Sequence, residues 1–400
     1  MWHKQIIENK LQNLLSFSAW TILLASLYTE SILLFVFACF FIVYDLSSKL
    51  YLKYVANDFV IEHEKQRVKL FAGETGIMIV RINHFGRLPI INGVLRLTVD
   101  NVIACDSYKT SVVKNQLDIL IPISVAGREE IEISIPVQAR RRGLARIRRV
   151  NLSINHPFGF GMAFLENNIG INHEVIIYPS PIVVEGLEKM TPKQIGNYYN
   201  RSSLFVDHTS TIGTRDYEQT DPFNRIHWKA TARTTNLQTK ILEPTAQFAW
   251  TLIVNVKDGN GIIGNLESVL SYVAYICQIA TKKNIEFQLL INIRSSGKTP
   301  FYYLPLGSGK AQLSKVLEIL ARVHKQSVVI PFDRMLFYIS KHHKLSAFTI
   351  TLGPVTYKDE VIYQGFTRQG IENYKIIDSE GKGYIVKMLS SNTEKEKVLV

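Results

Sequence analysis

Cysteine is scarce in this chain of 400 residues: Cys39, Cys105 and Cys277 are far apart and odd in number. Such spacing excludes a disulfide framework and a thiolate metal site, and it fits a reducing compartment. There is no long Lys/Arg block and no nucleic-acid motif, although the net charge is +12. Positive charge spread in this way excludes nucleic acid as the expected partner and points to anionic lipid or an acidic protein. The histidines are scattered; only His342 and His343 are adjacent, and helical neighbours do not share a face. No His/Asp/Glu set has ligand spacing, and no G-x-S-x-G or Cys/His nucleophile signature occurs. The expectation is a protein with no catalytic residues, no cofactor and no bound metal.

Two phosphate-binding patterns are present only in part. Gly259-Asn260-Gly261-Ile262-Ile263-Gly264 has dinucleotide-fingerprint spacing between a strand-length and a helix-length segment. Its first glycine lies beyond the strand end, and Arg294 stands where an acid should meet a ribose hydroxyl. A flexible loop is the better reading. Gly307-Ser308-Gly309-Lys310 has the tail of a P-loop, but Leu304 replaces the earlier glycine and Ala311 the hydroxyl after the lysine. Both the phosphate cradle and the Mg²⁺ ligand are lost, which leaves a helix start.

Long apolar runs lie at the N-terminus, at 13–28 and 32–44, separated by Thr29-Glu30-Ser31. A single span of roughly thirty residues would be too long for a bilayer core and would bury Glu30 near its middle. A tight transmembrane hairpin over 1–54, with two spans and Glu30 at the far surface, is expected instead. The alternative is a buried core hairpin of a soluble protein. Lys4, Lys10, Lys49 and Lys53 flank the hairpin and the turn carries no cation, so the positive-inside rule puts the soluble domains in the cytoplasm.

Residues 55–185 change to period two. Ile131, Ile133, Ile135 and Val137 alternate with polar residues, as do Leu95, Leu97 and Val99, with glycines at short intervals. The pattern predicts an all-β, sandwich-like domain. Within it, Arg140, Arg141, Arg142, Arg146, Arg148 and Arg149 form a basic surface. It is either a solvated strand face or a contact for lipid head groups or an acidic partner. Residues 186–213 have turn chemistry and read as a connector. Beyond 214, apolar runs at 250–256, 287–293, 347–353 and 373–378 alternate with helix-length stretches at about 265–283, 309–324, 332–342 and 357–369. That order predicts an α/β domain over 214–390 with a mainly parallel sheet, followed by a polar tail, 391–400.

The stretch 214–243 organises the rest. Arg215, Arg225, Lys229, Arg233 and Lys240 crowd together with Asp216, Glu218, Asp221 and Glu243, with Tyr217, Ile226 and Trp228 between them. The mixture predicts a half-buried ion-pair network with an aromatic anchor. The order Arg215-x-Tyr217, Asp221, Arg225-Ile226-His227-Trp228-Lys229-Ala230, Ala232-Arg233-Thr234 closely resembles the signature of the bacterial "domain of unknown function 58" family. Gln219-Thr220-Asp221 replaces the family's Pro-Gly-Asp. Arg141-Arg142-Gly143 and His156-Pro157-Phe158-Gly159 resemble two further family features.

The resemblance implies a von Willebrand factor A-like C-terminal domain. Such folds hold a divalent metal through Asp-x-Ser-x-Ser, and the matching positions here are Asn255, Lys257 and Gly259, so the metal site is degenerate. It also implies partners: a MoxR-type AAA+ ATPase, and in some members a transglutaminase-like membrane protein. The expectation is a membrane-anchored, non-catalytic docking protein assisting assembly or maturation of other proteins. Two alternatives stand beside it. One is an enzyme acting on an anionic substrate through Arg215, Asp221, Arg225, Lys229 and Arg233. The other is a metal-dependent adhesion-type module.

Overall fold

A computed structural model describes residues 2–7, 10–62, 66–157, 161–167, 173–190, 198–199, 206–246, 248–259, 261–379 and 381–388. The chain divides into two compact units, Met1–Tyr178 and Pro179–Val400. The expected polar tail 391–400 and Phe158-Gly159 lie outside the described residues.

The N-terminal unit opens with a short strand, β1 (His3–Ile7), before the helices α1 (Lys10–Thr29) and α2 (Ile32–Tyr54). This corrects the expected hairpin boundary, because β1 pairs antiparallel with a strand of the β domain. Glu30 turns the chain in the left-handed region, φ 47°. Among the described residues one helix, Ile32–Tyr54, is long and apolar enough to cross a membrane; the apolar part of α1, Asn13–Thr29, is shorter. Leu14, Phe17, Trp20, Leu24, Leu33, Phe37, Phe40 and Val43 face outward and are exposed, so the hairpin is not a core element of its own unit. Asp45 lies just beyond the apolar run and is neutralised locally. It accepts from Ser16 Oγ at 2.6 Å and Lys49 Nζ at 2.8 Å.

Eleven further strands follow: β2 (Phe59–Ile61), β3 (Arg67–Phe71), β4 (Thr75–His84), β5 (Ile90–Asp100), β6 (Ile103–Ala104), β7 (Lys109–Val113), β8 (Gln116–Val125), β9 (Glu129–Ala139), β10 (Gly143–Asn155), β11 (Met162–Asn167) and β12 (Glu174–Tyr178). They form one sheet ordered β1-β11-β10-β5-β8-β7, with β12 and β3 attached through β10, and a second ordered β2-β4-β9-β6. The expected period-two residues face inward: Leu95, Leu97, Val99, Ile135 and Val137 share one core with Met78, Val80, Ile119 and Leu152. Inner faces that interdigitate in this way make a β-sandwich. Leu52 and Val55 at the end of α2 enter the same core. His156 lays its ring edge-on against Tyr44 and Tyr51 of α2, and Lys4 Nζ donates to Lys53 O, Val55 O and Asn57 Oδ1 at 2.5–2.9 Å. The base of the hairpin is therefore fixed to the sandwich by packing and by an ammonium on the last carbonyls of α2.

The C-terminal unit comprises β13 (Val184–Glu185), β14 (Tyr198–Tyr199), β15 (Val206–Asp216), α3 (Trp228–Thr234), β16 (Gln238–Ala246), β17 (Ala249–Val254), β18 (Lys257–Asp258), β19 (Gly261–Ile262), α4 (Leu266–Lys282), β20 (Glu286–Arg294), β21 (Phe301–Gly307), α5 (Gly309–Arg322), α6 (Phe332–His342), β22 (Phe348–Leu352), α7 (Tyr357–Arg368), β23 (Glu372–Ser379) and β24 (Lys382–Lys387). The main sheet is ordered β13-β24-β23-β22-β17-β20-β21. Its centre, β20-β17-β22-β23, is parallel, while β21 and β24 run antiparallel. All six residues of β17 are buried, as a strand covered on both faces must be. The stretch 206–213, expected as connector, belongs to β15, which pairs with β16 in a separate three-stranded sheet with β14.

Candidate functional site

The signature stretch is a long excursion between β15 and β16. Arg215, Tyr217 and Asp221 come together at its base. Asp221 accepts from Arg215 Nη2 at 2.5 Å, Glu218 N at 3.1 Å and Thr239 Oγ1 at 3.1 Å, and its side chain is 9% exposed. Tyr217 OH donates to Asp221 O at 3.1 Å. The Glu218 backbone N–H is the main cause that holds the Asp221 carboxyl below its usual range; Thr239 and Arg215 add to it, against partial desolvation. Asp216 accepts from Gln238 Nε2 at 2.5 Å, which ties the two strands. These bonds close the excursion and engage both carboxylate oxygens of Asp221.

His227 serves the backbone. Its Nδ1 accepts from Ala230 N at 3.0 Å and caps α3, while Gln238 N donates to Thr231 Oγ1 at 3.0 Å. Ile226 is buried and Thr234 Oγ1 donates back to Ala230 O at 3.1 Å. Half of the expected network is absent among the described residues. Arg225, Lys229, Arg233 and Lys240 have no carboxylate within ion-pair distance there; the Glu243 side chain lies outside what is described. Trp228 is no buried anchor: it is 61% exposed and meets Phe223, 69% exposed, edge-on with centroids 5.9 Å apart. The excursion therefore presents an aromatic pair beside Arg225, Lys229 and Arg233. The Phe223 contribution escaped the sequence reading; its only signal was an apolar ring amid charges.

The arginine run is largely compensated. Arg146 Nη2 meets Glu174 Oε1 at 2.7 Å, and Arg148 Nε meets Asp100 Oδ1 at 3.1 Å. Arg141 donates to Asn101 O and Asn115 Oδ1 at 2.8 and 3.1 Å. Arg142 also has a partner, and Arg140 is exposed. A bulge between Ile147 and Arg149 turns Arg148 outward. As a basic contact surface the run is weaker than its composition promised.

At the end of β17, Asn255 is 4% exposed and fully engaged. Nδ2 donates to Pro354 O at 2.6 Å; Oδ1 accepts from Lys257 N at 3.0 Å and Asn292 Nδ2 at 2.7 Å. A carboxylate here would set an oxygen against the Pro354 carbonyl. Gly259 is left-handed, φ 54°, and Lys257 and Asp258 form a two-stranded ribbon with Ile262 and Gly261. The glycine-rich loop is thus a β-ribbon and not a phosphate turn leading directly into a helix. Among the described residues, no group of three or more His, Cys, Asp or Glu side chains could hold a metal ion.

Beside it lies a crevice of ≈ 300 Å³, lined by Asp258, Ile263, Val269, Tyr272, Leu352 and Asp378 among others. It opens at the carboxyl ends of β17 and β22, whose connections leave to opposite sides: α4 leads to β20, and α7 leads to β23. Open sheets with parallel strands form a natural recess at such a switch point. Tyr272 and Asp378 carried no sequence signal, since they meet only through the fold.

No family model matches the chain, and no curated protein matches it. Solved structures give partial likenesses. A non-cellulosomal cohesin from Archaeoglobus fulgidus is 13% identical, with 32% of this chain and 94% of that chain covered, at a TM-score of 0.19. A cohesin module of a Clostridium perfringens family 33 glycoside hydrolase is 12% identical, with coverages of 30% and 94%, at 0.21. PapD-like domain 7 of human CEP192 is 9% identical, with coverages of 30% and 86%, at 0.19. Likenesses this slight carry no argument about family or activity.

Proposed function

We propose that this chain is a membrane-anchored docking protein of the "domain of unknown function 58" type, with a von Willebrand factor A-like C-terminal domain. The observation that carries the reading is the exposed Phe223–Trp228 pair beside Arg225, Lys229 and Arg233. Trp and Arg dominate binding hot spots, and clustered cations select an acidic partner. The occupant is an acidic segment of a partner protein, and a MoxR-type AAA+ ATPase is the candidate partner. A transglutaminase-like membrane protein is a second associated component. Support for the anchor comes from Ile32–Tyr54, which is long and apolar enough to cross a membrane. In this reading the hairpin crosses twice and the flanking lysines put the soluble units in the cytoplasm. Asp221 acts here as a brace, since both its oxygens accept from groups of the strand ends: Arg215, Glu218 and Thr239.

The test is capture of the ATPase by the full chain in detergent. Trp228→Ala combined with Arg233→Glu is expected to lose the partner at an unchanged melting temperature, because neither side chain holds the fold. Undiminished capture by that variant would refute the docking surface. Reporter fusions at Glu30 and after Val400 test the topology; opposite compartments for the two support it.

A further inference from the structure

Strand register identifies the end of the sandwich at which the hairpin joins it. Phe59, just after α2, pairs with His84, His84 with Glu129, Ile90 with Val125, and Ile7 with Met162. The turns 85–89 and 126–128 therefore lie at that end. Hydrogen bonds lock them to each other and to the helix. Arg128 N donates to Gly86 O at 3.0 Å, and Phe85 N to Asp58 O at 3.1 Å. Tyr51 OH of α2 donates to Pro89 O at 2.8 Å, and His84 Nε2 to Leu88 O at 2.7 Å. Gly127 packs so closely that an added Cβ would collide with Arg87 O. On this braced frame Phe85 is 64% exposed, and Ile7, Tyr54 and Ile91 are exposed at the same end. The turns of the opposite end are polar: Gly73-Glu74, Asn101, Lys114-Asn115 and Arg140-Arg141-Arg142. The 13 residues of β10 separate the two ends by about 40 Å. The arginines that open the basic run thus stand away from the hairpin.

Given the membrane anchor proposed above, on which this rests, we infer that the turns 85–89 and 126–128 form a lip seated in the head-group layer beside the hairpin, where Arg87 and Arg128 hold the phosphates of anionic phospholipids. Depth supports the placement. Helix α2 has 23 residues, about 35 Å of helix against a hydrocarbon core of about 30 Å. Its last turn, with Tyr51 and Tyr54, then leaves the core in the layer where tyrosines collect. The Tyr51–Pro89 bond holds the turn 85–89 at that same level. Phe85 and Ile91 supply the apolar contact with the acyl boundary, as the buried face of an interfacial element does. Charge supports the occupant. Arg87, Arg128, Lys53 and Lys10 are exposed at this end and meet no described carboxylate within ion-pair distance. Its carboxylates are Asp58, Glu129 and Glu130, and Glu129 is turned inward to accept from Ala126 N at 2.7 Å. The balance is cationic with Lys4 added. The planar guanidinium fork matches a phosphate with two parallel hydrogen bonds. Cations this close to a leaflet are drawn to anionic lipid.

The full chain carrying Phe85→Trp tests this after reconstitution into vesicles of phosphatidylcholine and phosphatidylglycerol and a carbonate wash. The emission that the substitution adds to that of the parent chain should be blue-shifted and quenched by lipid brominated on the upper acyl chain. Val113→Trp is the control, at an exposed position near the opposite end, where Val113 pairs with Gln116. Its added emission should be quenched by acrylamide and not by brominated lipid. At equal content, brominated phosphatidylglycerol should quench the Phe85→Trp emission more than brominated phosphatidylcholine does. Arg87→Ser and Arg128→Ser should each reduce that preference about fivefold. Both arginines are exposed and unpaired, so the fold survives their loss. Added emission that acrylamide quenches and brominated lipid does not, in a chain that stays with the vesicles, overturns the lip and leaves the anchor standing. A chain released by carbonate overturns both. Equal quenching by the two lipids, or a preference intact in both arginine variants, overturns the head-group assignment. Trp228→Ala combined with Arg233→Glu should alter none of these readings, so failure of the lip and failure of the docking surface are distinguishable.

Discussion

Asn255→Asp restores the carboxylate that a metal loop would carry, and it should damage the protein. The amide nitrogen of Asn255 donates to Pro354 O at 2.6 Å in a site only 4% exposed. The substitution deletes that bond, about 1 kcal/mol, and leaves the buried carbonyl facing an oxygen, about 1–3 kcal/mol more. Desolvation of the new charge brings the total to about 3–5 kcal/mol. For a unit of this size each kcal/mol lowers the melting temperature by about 2–4 °C, so a fall of about 10 °C is expected. The sign of the pH dependence follows from burial, which raises the folded carboxyl above its unfolded value. The folded chain then holds the proton where the unfolded chain has lost it, so the deficit is smaller near pH 5 than near pH 8. Thermal unfolding of the C-terminal unit, with and without millimolar Mg²⁺, reads all three outcomes. A variant that melts with the parent and gains stability on adding Mg²⁺ would refute the reasoning, because it would show a metal loop one substitution from intact.

Two further substitutions probe the supports of the two units. Burial lowers the Lys4 ammonium to about 8. Between about pH 8 and about 10.5 the unfolded chain keeps this proton and the folded chain sheds it, so stability of the N-terminal unit rises with pH across that window. Lys4→Met should flatten that limb in denaturant titrations and also loosen the end of α2, whose carbonyls lose their donor; an unaltered limb would contradict the assignment. His227→Ala removes the cap on α3 and should cost about 0.5–2 kcal/mol, while His227→Asn should recover most of it. Equal loss in both variants, measured by urea unfolding, would mean that the imidazole acts otherwise than by capping.

The elements were legible where one physical cause dominates. Helix α4 was expected at 265–283 and spans Leu266–Lys282, since its apolar period decides its burial. Thr356 and Asp359 form a capping box that starts α7 at Tyr357, close to the expected 357. Continuous apolar runs located β17, β20 and β22 for the same reason: a strand buried on both faces has no polar alternation to disguise it. The strands β21 and β24 were not expected. They lie outside the parallel core, and their half-exposed sequences, FYYLPLG and KGYIVK, carry no long apolar run. The strand β1 was hidden by its position, immediately ahead of the hairpin, with nothing local to show that its partner lies at Met162–Asn167.

The charged stretches show why a site is harder to read than a fold. Residue type gives the sign of a charge, but its worth depends on a partner that can be far along the chain. Arg146 is answered by Glu174, 28 residues away, and Arg148 by Asp100, 48 residues away. A run that looks like the most basic surface of the sequence is thereby partly cancelled. The signature stretch behaves in the opposite way. Its alternating signs promise mutual cancellation, yet only Arg215 finds Asp221 and Glu218, while Arg225, Lys229 and Arg233 meet no described carboxylate. The short helix α3 explains the asymmetry. It carries Lys229 and Arg233 one turn apart on an exposed face, whereas Asp221 is drawn back to the strand ends by Thr239 and the Glu218 amide. Separation of the charges, rather than their number, leaves a cationic face beside Trp228. A sequence can list those charges but cannot say which of them the fold has already spent.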